Sequence, residues 1–319
     1  MGSTARGRAH VPTWAALGGA GLIGAMTSAQ ARVNGQLGIR LEDGFVAAFV
    51  SFGSGLAILV VLSAALPAGR RGLARLVSGV RGGGIPWWML IGGAAGAVTT
   101  ATQGVTAGII GVSLFSVGYV AGQTLCGLVL DRVGFGPGGA VAVTIPRVAG
   151  GALALAAVGL ALTGADGASA PVWMLVLPFV AGIGVAWQQA TNGRLRQQVG
   201  TPLTATLVNF VGGTAVLVAA AGIVVGVAGP TRPFPADPWL YLGGALGVAY
   251  IFLAAALVVH TGVLLLALGT IVGQLVTSLV LDALWPAAGS PGILLELAVV
   301  AVALSSVVVA AVPWRRRRA

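Results

Sequence analysis

Two pairs of side-chain amides stand at the same spacing in otherwise apolar stretches of the sequence. Gln30 and Asn34 are four residues apart, as are Gln188 and Asn192, so each pair projects from one face of a helix. A side-chain amide carries both hydrogen-bond donors and acceptors, and in hydrocarbon it needs partners. These residues therefore contact a polar solute in a pathway, cap helix ends or bond to neighbouring helices, and the sequence leaves these roles open.

A second recurring motif combines glycines with a glutamine. "GVSLFSVGYVAGQTLCGLVLD" (111–131) matches "GVLLLALGTIVGQLVTSLVLD" (262–282) without a gap, which places Gln123 and Gln274 at like positions. Each glutamine is one of few strong polar groups in its stretch, so we expect it to contact a solute. Tyr119 lies one turn before Gln123 and is predicted to line the same cavity. The glycines predicted to let helices approach closely are Gly118, Gly122, Gly269 and Gly273.

The few charged residues within or beside these stretches have separate predicted roles. Asp131 and Asp282 end the two motifs, where the helix dipole disfavours an anion, so we expect each to have a structural partner such as an arginine, a water or a cap. The sequence leaves three roles open for Arg147. It pairs with Asp131, binds an anionic substrate or lies at the cytoplasmic membrane surface, and the last of these is favoured. Glu296 is the only acid expected at hydrocarbon depth. It is the candidate for proton or cation coupling, and the alternative is an anion stabilised at a helix N-terminus.

The composition determines which kind of structure must position these residues. The 319 residues are 57% hydrophobic and 8% charged, whereas a soluble domain carries about 25% charged residues. This composition excludes a water-soluble globule and predicts an all-α polytopic membrane protein. Cys126 is the single cysteine, and His10 and His260 are isolated. We therefore expect no internal disulfide, no metal and no cofactor.

Run length predicts ten transmembrane helices, because a spanning helix takes roughly 20 apolar residues. The apolar runs lie at about 14–33, 43–66, 86–105, 109–130, 143–163, 172–191, 202–226, 239–258, 262–281 and 292–312.

The chain also repeats itself. At one offset Gln30 and Asn34 fall on Gln188 and Asn192, and at a second offset the two glycine-glutamine motifs superpose. This pattern divides the chain into two five-helix repeats, residues 1–165 and 166–319. Because five is an odd number, the second repeat must enter the membrane from the opposite side, so the two repeats are predicted to be inverted.

The arginines predict the orientation of the chain. All 17 basic residues are arginines, and with a cytoplasmic amino terminus all but Arg32, Arg40 and Arg232 lie on the inner side, as the positive-inside rule requires. Both termini are then cytoplasmic. The stretch "SAQARVNGQLG" (28–38) looks like the end of a signal peptide, but its match in mid-chain cannot be one, so the first helix is predicted to be retained. Arginine without lysine is typical of GC-rich bacterial genomes, which suggests a bacterial cytoplasmic (inner) membrane.

The repeats and their motifs resemble the drug/metabolite transporter superfamily. "QARVNGQLG" and "QQATNGRLRQQVG", followed by "SFGSG" and "NFVGG", are similar to the YdcZ-like branch of inner-membrane exporters, here as two fused copies. The resemblance implies a ten-helix, EamA-like transporter fold with a central cavity and names no substrate. Small multidrug-resistance relatives exchange protons for cations through a glutamate in the first helix. Residues 14–33 contain no acid, so that route is not supported here.

The most favoured function is a secondary transporter that exports a small molecule or metabolite by alternating access. The alternatives are a membrane scaffold and, less favoured, a lipid-modifying enzyme, for which no paired acids, His-acid pair or nucleotide-phosphate loop is present. We therefore expect the chain not to be an enzyme. Its expected partners are the lipid bilayer and a small molecule of unknown identity. Nucleic acid is not expected, because the arginines lie in short connections and at the tail.

Overall fold

The computed structural model describes residues 13–137, 139–140, 142–163, 171, 173–290 and 292–312, and every regular element in these ranges is a helix. The predicted positions of the termini, including the Arg315–Arg318 tail, and the boundary at residues 165 and 166 lie outside the described residues. The helices are α1 (Thr13–Leu41), α2 (Gly44–Ala65), α3 (Pro67–Arg81), α4 (Gly92–Thr102), α5 (Gly108–Ile110), α6 (Val112–Val133), α7 (Ile145–Thr163), α8 (Trp173–Val199), α9 (Pro202–Ala228), α10 (Gly243–Leu284) and α11 (Ile293–Ala311).

Several described helices meet the length and composition of a membrane span. Those that do so over at least 18 residues are α2, α6, α9, α11 and the Leu266–Leu284 part of α10, and shorter apolar helices cover Ile145–Ala161 and Gly243–Ala254. The chain is therefore a helical, multi-pass membrane protein.

Two tight turns are capped at matching positions of the sequence repeat. Asp43 precedes α2, and its carboxylate accepts hydrogen bonds from the Phe45 and Val46 nitrogens at 2.9 Å. Thr201 precedes α9 and its hydroxyl accepts from the Leu203 nitrogen at 3.3 Å. Such caps pair amide groups that have no partner inside the helix. They start α2 directly after α1, and α9 directly after α8.

Helix α10 folds back on itself. Asn34 of α1 lies against Gly243, whereas Arg32, two residues earlier, pairs with Asp282. A straight helix of this length would separate Gly243 from Asp282 by about 60 Å. Gly19 of α1 lies against Leu257 of α10, and Gly24 of α1 lies against Thr270 of α10. The chain therefore reverses direction between Leu257 and Thr270. We call the parts on either side the first arm (243–257) and the second arm (270–284).

The first helix of each sequence repeat packs against the glycine-glutamine helix of the other repeat. A Cβ atom added at Gly24 of α1 would collide with backbone atoms of Thr270 and Gln274. A Cβ added at Gly182 of α8 would collide with backbone atoms of Tyr119 and Gln123, which match those two residues in the repeat. The same close contact is therefore formed twice, by α1 with α10 and by α8 with α6.

Helices α2 and α9 are in close contact through matching aromatic residues. The Phe52 and Phe210 rings stack with centroids 4.7 Å apart, and the two residues occupy matching positions of the repeat. Gly55 lies against the Phe210 ring, and Gly213 lies against the Phe52 ring. Since neither glycine has room for a side chain, the two rings fix how closely these helices approach.

The carboxyl ends of α1 and α8 lie at opposite ends of the protein. Arg232, just beyond the end of α9, donates from its backbone nitrogen to the Leu41 carbonyl at 3.2 Å and pairs with Glu42 at 2.8 Å. The start of α9, at Pro202, follows the end of α8. Helix α9 has 27 residues and is about 40 Å long, so it separates the two ends by roughly the thickness of a membrane.

Helix α3 is not among the ten predicted runs. It begins with a proline at its first turn, which suits a helix start. Its glycines Gly69 and Gly72 pack against Ser63 and Thr204, while the side chains of Arg70 and Arg71 are exposed. A short helix with this division of glycine and arginine faces is amphipathic and is not a spanning segment.

Candidate substrate pathway

A cavity of about 400 Å³ lies among α1, α2, α4, α6, α8, α9 and α10. Its lining combines apolar and aromatic side chains with hydroxyls and amides, and the described lining residues include no carboxylate. Arg196 is the one charged residue among them. The amide residues of the lining are Gln30, Gln103, Gln123, Gln188, Gln189, Asn192, Asn209 and Gln274.

Two of these amides are held in fixed orientations at matching positions of the repeat. Gln30 donates from Nε2 to the Gly243 carbonyl at 2.8 Å, and Gln188 donates from Nε2 to Asn209 Oδ1 at 2.7 Å. A carbonyl can only accept, so the first bond defines which end of the Gln30 amide is the nitrogen. Both side chains are less than a tenth exposed, and both line the cavity.

The glutamines of the two glycine-glutamine motifs also line the cavity, in different surroundings. Gln123 donates from Nε2 to Gln189 Oε1 at 3.2 Å in a partly open region. Gln274 is 3% exposed, and its backbone carbonyl accepts a hydrogen bond from Ser28 Oγ at 2.7 Å, whereas its side-chain amide has no hydrogen bond within the described part of the chain. Tyr119 lines the same cavity, as the sequence predicts for it.

The two asparagines of the opening pairs differ more strongly. Asn192 lines the cavity and donates from Nδ2 to Asn209 Oδ1 at 3.2 Å. Asn34 is fully buried, donates to Gln103 Oε1 at 2.7 Å and is not among the lining residues. Of the two matched residues, Asn192 thus lies at the accessible end of the cavity, whereas Asn34 lies behind the lining residue Gln103.

The accessible end lies beside the carboxyl end of α8. Gln189 is exposed there, and Asn192, Gly193 and Arg196 are partly exposed lining residues. Gln30 and its bond to Gly243 lie toward the other end, near the buried Asn34. Because the carboxyl ends of α1 and α8 are on opposite sides of the protein, this accessible end faces the side on which α8 ends.

Arg194 holds the loop after α6 beside this opening. It donates from Nε to the Phe135 carbonyl at 2.6 Å and from Nη2 to the Gly134 carbonyl at 3.0 Å. Its guanidinium carbon lies 5.0 Å from the Phe135 ring centroid and 5.9 Å from that of Trp88, both within cation–π range. Sequence analysis did not single out Arg194, because its aromatic partners are distant in the chain.

The two matched aspartates lie away from the cavity and have different partners. Asp282, whose side chain is fully buried, accepts from the Val112 nitrogen at 2.9 Å and the Ser113 nitrogen at 2.5 Å, which caps α6. Arg32 Nη1 is 3.9 Å from the same carboxylate. Asp131 pairs with Arg147 at 3.2 Å on a partly exposed surface. Asp131, Asp282 and Arg147 therefore each contact a structural partner.

Glu296 is not a lining residue. It is 2% exposed, lies in the first turn of α11, and its carboxylate accepts a hydrogen bond from the Ser290 hydroxyl. If Glu296 couples ions to transport, its protonation must therefore affect the cavity through the packing of α11.

The predicted packing glycines lie on helices α6 and α10. Gly122 packs against the Phe179 carbonyl of α8, and Gly273 packs against backbone atoms of Gly21 in α1. Gly118 is buried within α6, and Gly269 is partly buried in α10.

Sequence reasoning missed three amides of the site, which are Gln103, Gln189 and Asn209. Asn209 accepts hydrogen bonds from both Gln188 and Asn192, and it stands in "NFVGG" where the first repeat has Ser51 in "SFGSG". Gln103 begins a π-helical turn, Gln103–Ala107, between α4 and α5. Such turns often mark functional positions, but nothing in the local sequence indicates one.

A helical membrane fold with an amide-lined cavity is the architecture expected of the membrane transporter class. The family described as "Putative inner membrane exporter, YdcZ" matches residues 6–160 and 173–309, which is most of the chain. The chain belongs to this family, and the two matched segments agree with two copies of the repeat. The predicted resemblance is thereby confirmed, together with an inner-membrane location. No protein of curated function matches the chain significantly.

Proposed function

We propose that the protein is a ten-helix secondary transporter that exports a small molecule by alternating access between two inverted repeats. One observation carries the proposal: Asn192 lines the accessible end of the cavity, whereas its repeat mate Asn34 is fully buried outside the lining, behind Gln103. In an inverted-repeat transporter the two repeats exchange conformations around a central site. Exchange would seal Asn192 and open the region of Asn34.

The arrangement of the helices supports the inverted topology. The two arms of α10 count as two spans, and α4 together with α5 counts as one. The total is then ten spans, formed by α1, α2, α4 with α5, α6, α7, α8, α9, the first arm, the second arm and α11. The helices α1 and α8 match in the repeat, yet their carboxyl ends lie on opposite sides. This is the relation that an axis in the membrane plane would produce.

The arginines support a cytoplasmic position for the accessible end. Arg194 and Arg196 lie at the opening, and Arg75 donates to the Val199 carbonyl at 3.5 Å beside it. Arg32 and Arg232 lie toward the other end. Under the positive-inside rule the opening faces the cytoplasm, where an exporter loads its substrate.

The proposal predicts opposite accessibilities for two matched positions. In a Cys126→Ser background, which has no other cysteine, Gln189→Cys should react with a membrane-impermeant thiol reagent from the cytoplasmic side. Ala31→Cys, at the matching buried position, should react only from the outside and at least about tenfold more slowly, because only the minor state exposes it. Labelling of inside-out and right-side-out vesicles measures both rates. Reaction of both cysteines from the same side would contradict alternating access.

Glu296 remains our proposed coupling acid, with a direct test. If its carboxyl group carries the proton, Glu296→Gln should abolish the response of transport to a pH gradient while leaving exchange of substrate intact. Ser290→Ala removes the hydrogen-bond donor but keeps the carboxyl group, so it serves as the matched control. The comparison uses proteoliposomes with and without a pH gradient, and full coupling in Glu296→Gln would eliminate this residue.

A further inference from the structure

The charges of the cavity limit what it can bind. The lining residues that the structure describes hold no carboxylate, and the one charged residue among them, Arg196, is partly exposed at the opening. A charged solute taken deeper than Arg196 would lose its hydration without gaining a counter-ion, and such burial is strongly unfavourable. The inner part of the cavity therefore suits a solute without net charge.

The unpaired polar atoms of the lining include both acceptors and donors. Gln30 and Gln188 use their nitrogens within the protein, which leaves each Oε1 as an acceptor. Gln103 and Asn209 accept through their amide oxygens, which leaves Nε2 and Nδ2 as donors. Gln274 has both ends of its amide unbonded within the described residues. A carboxylate would satisfy only the donors and an ammonium only the acceptors, whereas a hydroxyl satisfies both.

The four glutamines just named are each at least nine-tenths buried. Their amide atoms without a protein partner are not enclosed by the described residues but open onto the cavity, where a ligand or water completes their hydrogen bonds. The stacked rings of Phe52 and Phe210 lie in the same lining and offer apolar surface to the carbon faces of a ligand.

We infer that this cavity binds a neutral, polyhydroxylated solute of monosaccharide to disaccharide size. The inference rests on the proposed transport function for its biological meaning, but the binding itself is independent of transport. The volume of about 400 Å³ falls in the range of small-molecule sites. Hydroxyl groups supply the paired donors and acceptors that the glutamine and asparagine side chains require.

A panel of sugars that differ in charge tests the ligand class. Glucose, mannitol and sucrose are the neutral probes, and glucuronate and glucosamine carry one negative and one positive charge on a similar ring. Binding is measured by calorimetry and by thermal unfolding of the purified, detergent-solubilised full chain. We expect at least one neutral probe to bind at least tenfold more tightly than both charged probes. Equal or tighter binding of a charged probe, or no binding of any neutral probe, overturns the inference.

A charge introduced inside the cavity should change the preference. Gln274→Glu places a carboxylate among the unpaired amides, so glucosamine should bind at least tenfold more tightly than to the unaltered protein. Gln198→Glu makes the same chemical change at an exposed position of α8 outside the lining and should leave binding unaltered. If Gln274→Glu fails to fold, Gln274→Ala should weaken binding of the neutral probe at least fivefold. Unaltered binding in the folded variants would contradict the assignment of the ligand site to this cavity.

Failure of this inference is distinguishable from failure of the proposed function. Counterflow of the bound neutral probe in proteoliposomes reports transport, whereas calorimetry reports binding. Neutral binding without counterflow overturns the transporter proposal and leaves the ligand class in place. Counterflow of glucuronate or glucosamine that is lost in Gln274→Ala supports the transporter and overturns the neutral ligand.

Discussion

Replacing Asp282 with alanine is expected to lower the free energy of unfolding by about 3 kcal/mol or more. The buried carboxylate accepts hydrogen bonds from the Val112 and Ser113 nitrogens and lies 3.9 Å from Arg32. Its removal would leave two buried amide groups and one largely buried guanidinium without this partner. Thermal unfolding of the purified protein in detergent, with yield in the membrane fraction, measures the loss.

Asp131→Ala is the control for this substitution, because Asp131 and Asp282 occupy matching positions of the sequence repeat. Its pair with Arg147 at 3.2 Å is partly exposed, with the aspartate side chain 44% accessible. Exposed ion pairs contribute about 0–1 kcal/mol. Equal destabilisation by the two substitutions would show that the cap on α6 is not what makes Asp282 important.

The second large effect is expected at Gly24. In Gly24→Ala the added Cβ would collide with backbone atoms of Thr270 and Gln274, which cannot rotate away as a side chain can. Helices α1 and α10 must then separate, and overpacking of this kind costs about 3 kcal/mol. Because Gly182 makes the matching contact with α6, Gly182→Ala should have a similar effect. Thermal unfolding in detergent measures both variants.

Gly21→Ala is the matched control on the same helix. No atom lies within 4 Å of a Cβ added there, and alanine has the higher helix propensity. The substitution should leave stability unchanged or raise it by up to about 1 kcal/mol. Strong destabilisation by Gly21→Ala would indicate that loss of glycine flexibility, and not the close backbone contact, explains the effect at Gly24.

The sequence was sufficient to identify five of the eight amide residues in the described lining of the cavity. Gln30, Gln188, Gln123 and Gln274 stand out because polar groups are rare in apolar helices and because each has a repeat mate. Their convergence follows from the packing of α1 against α10 and of α8 against α6. The repeat makes both contacts equivalent, so one sequence comparison carries information about both sides of the cavity.

Other parts of the site could not be predicted, because they depend on how the helices meet. Asn34 and Asn192 have the same local sequence pattern, and only the three-dimensional packing makes one buried and the other accessible. The bond from Asn34 to Gln103 joins residues far apart in the chain. The reversal within α10 lies beside the boundary predicted between the runs 239–258 and 262–281, so run length gives its approximate place but not the contacts of its two arms with α1.

The cap on helix α6 also sets an order of events during synthesis. Val112 obtains its partner from Asp282, which is 170 residues further along the chain. At roughly 5–20 residues per second, the ribosome reaches Asp282 about 10–30 seconds after it has made the start of α6. Until then two amide groups at the start of α6 lack their native partner. The last helices therefore complete the first repeat, and a chain that stops before Asp282 would leave both repeats unfinished.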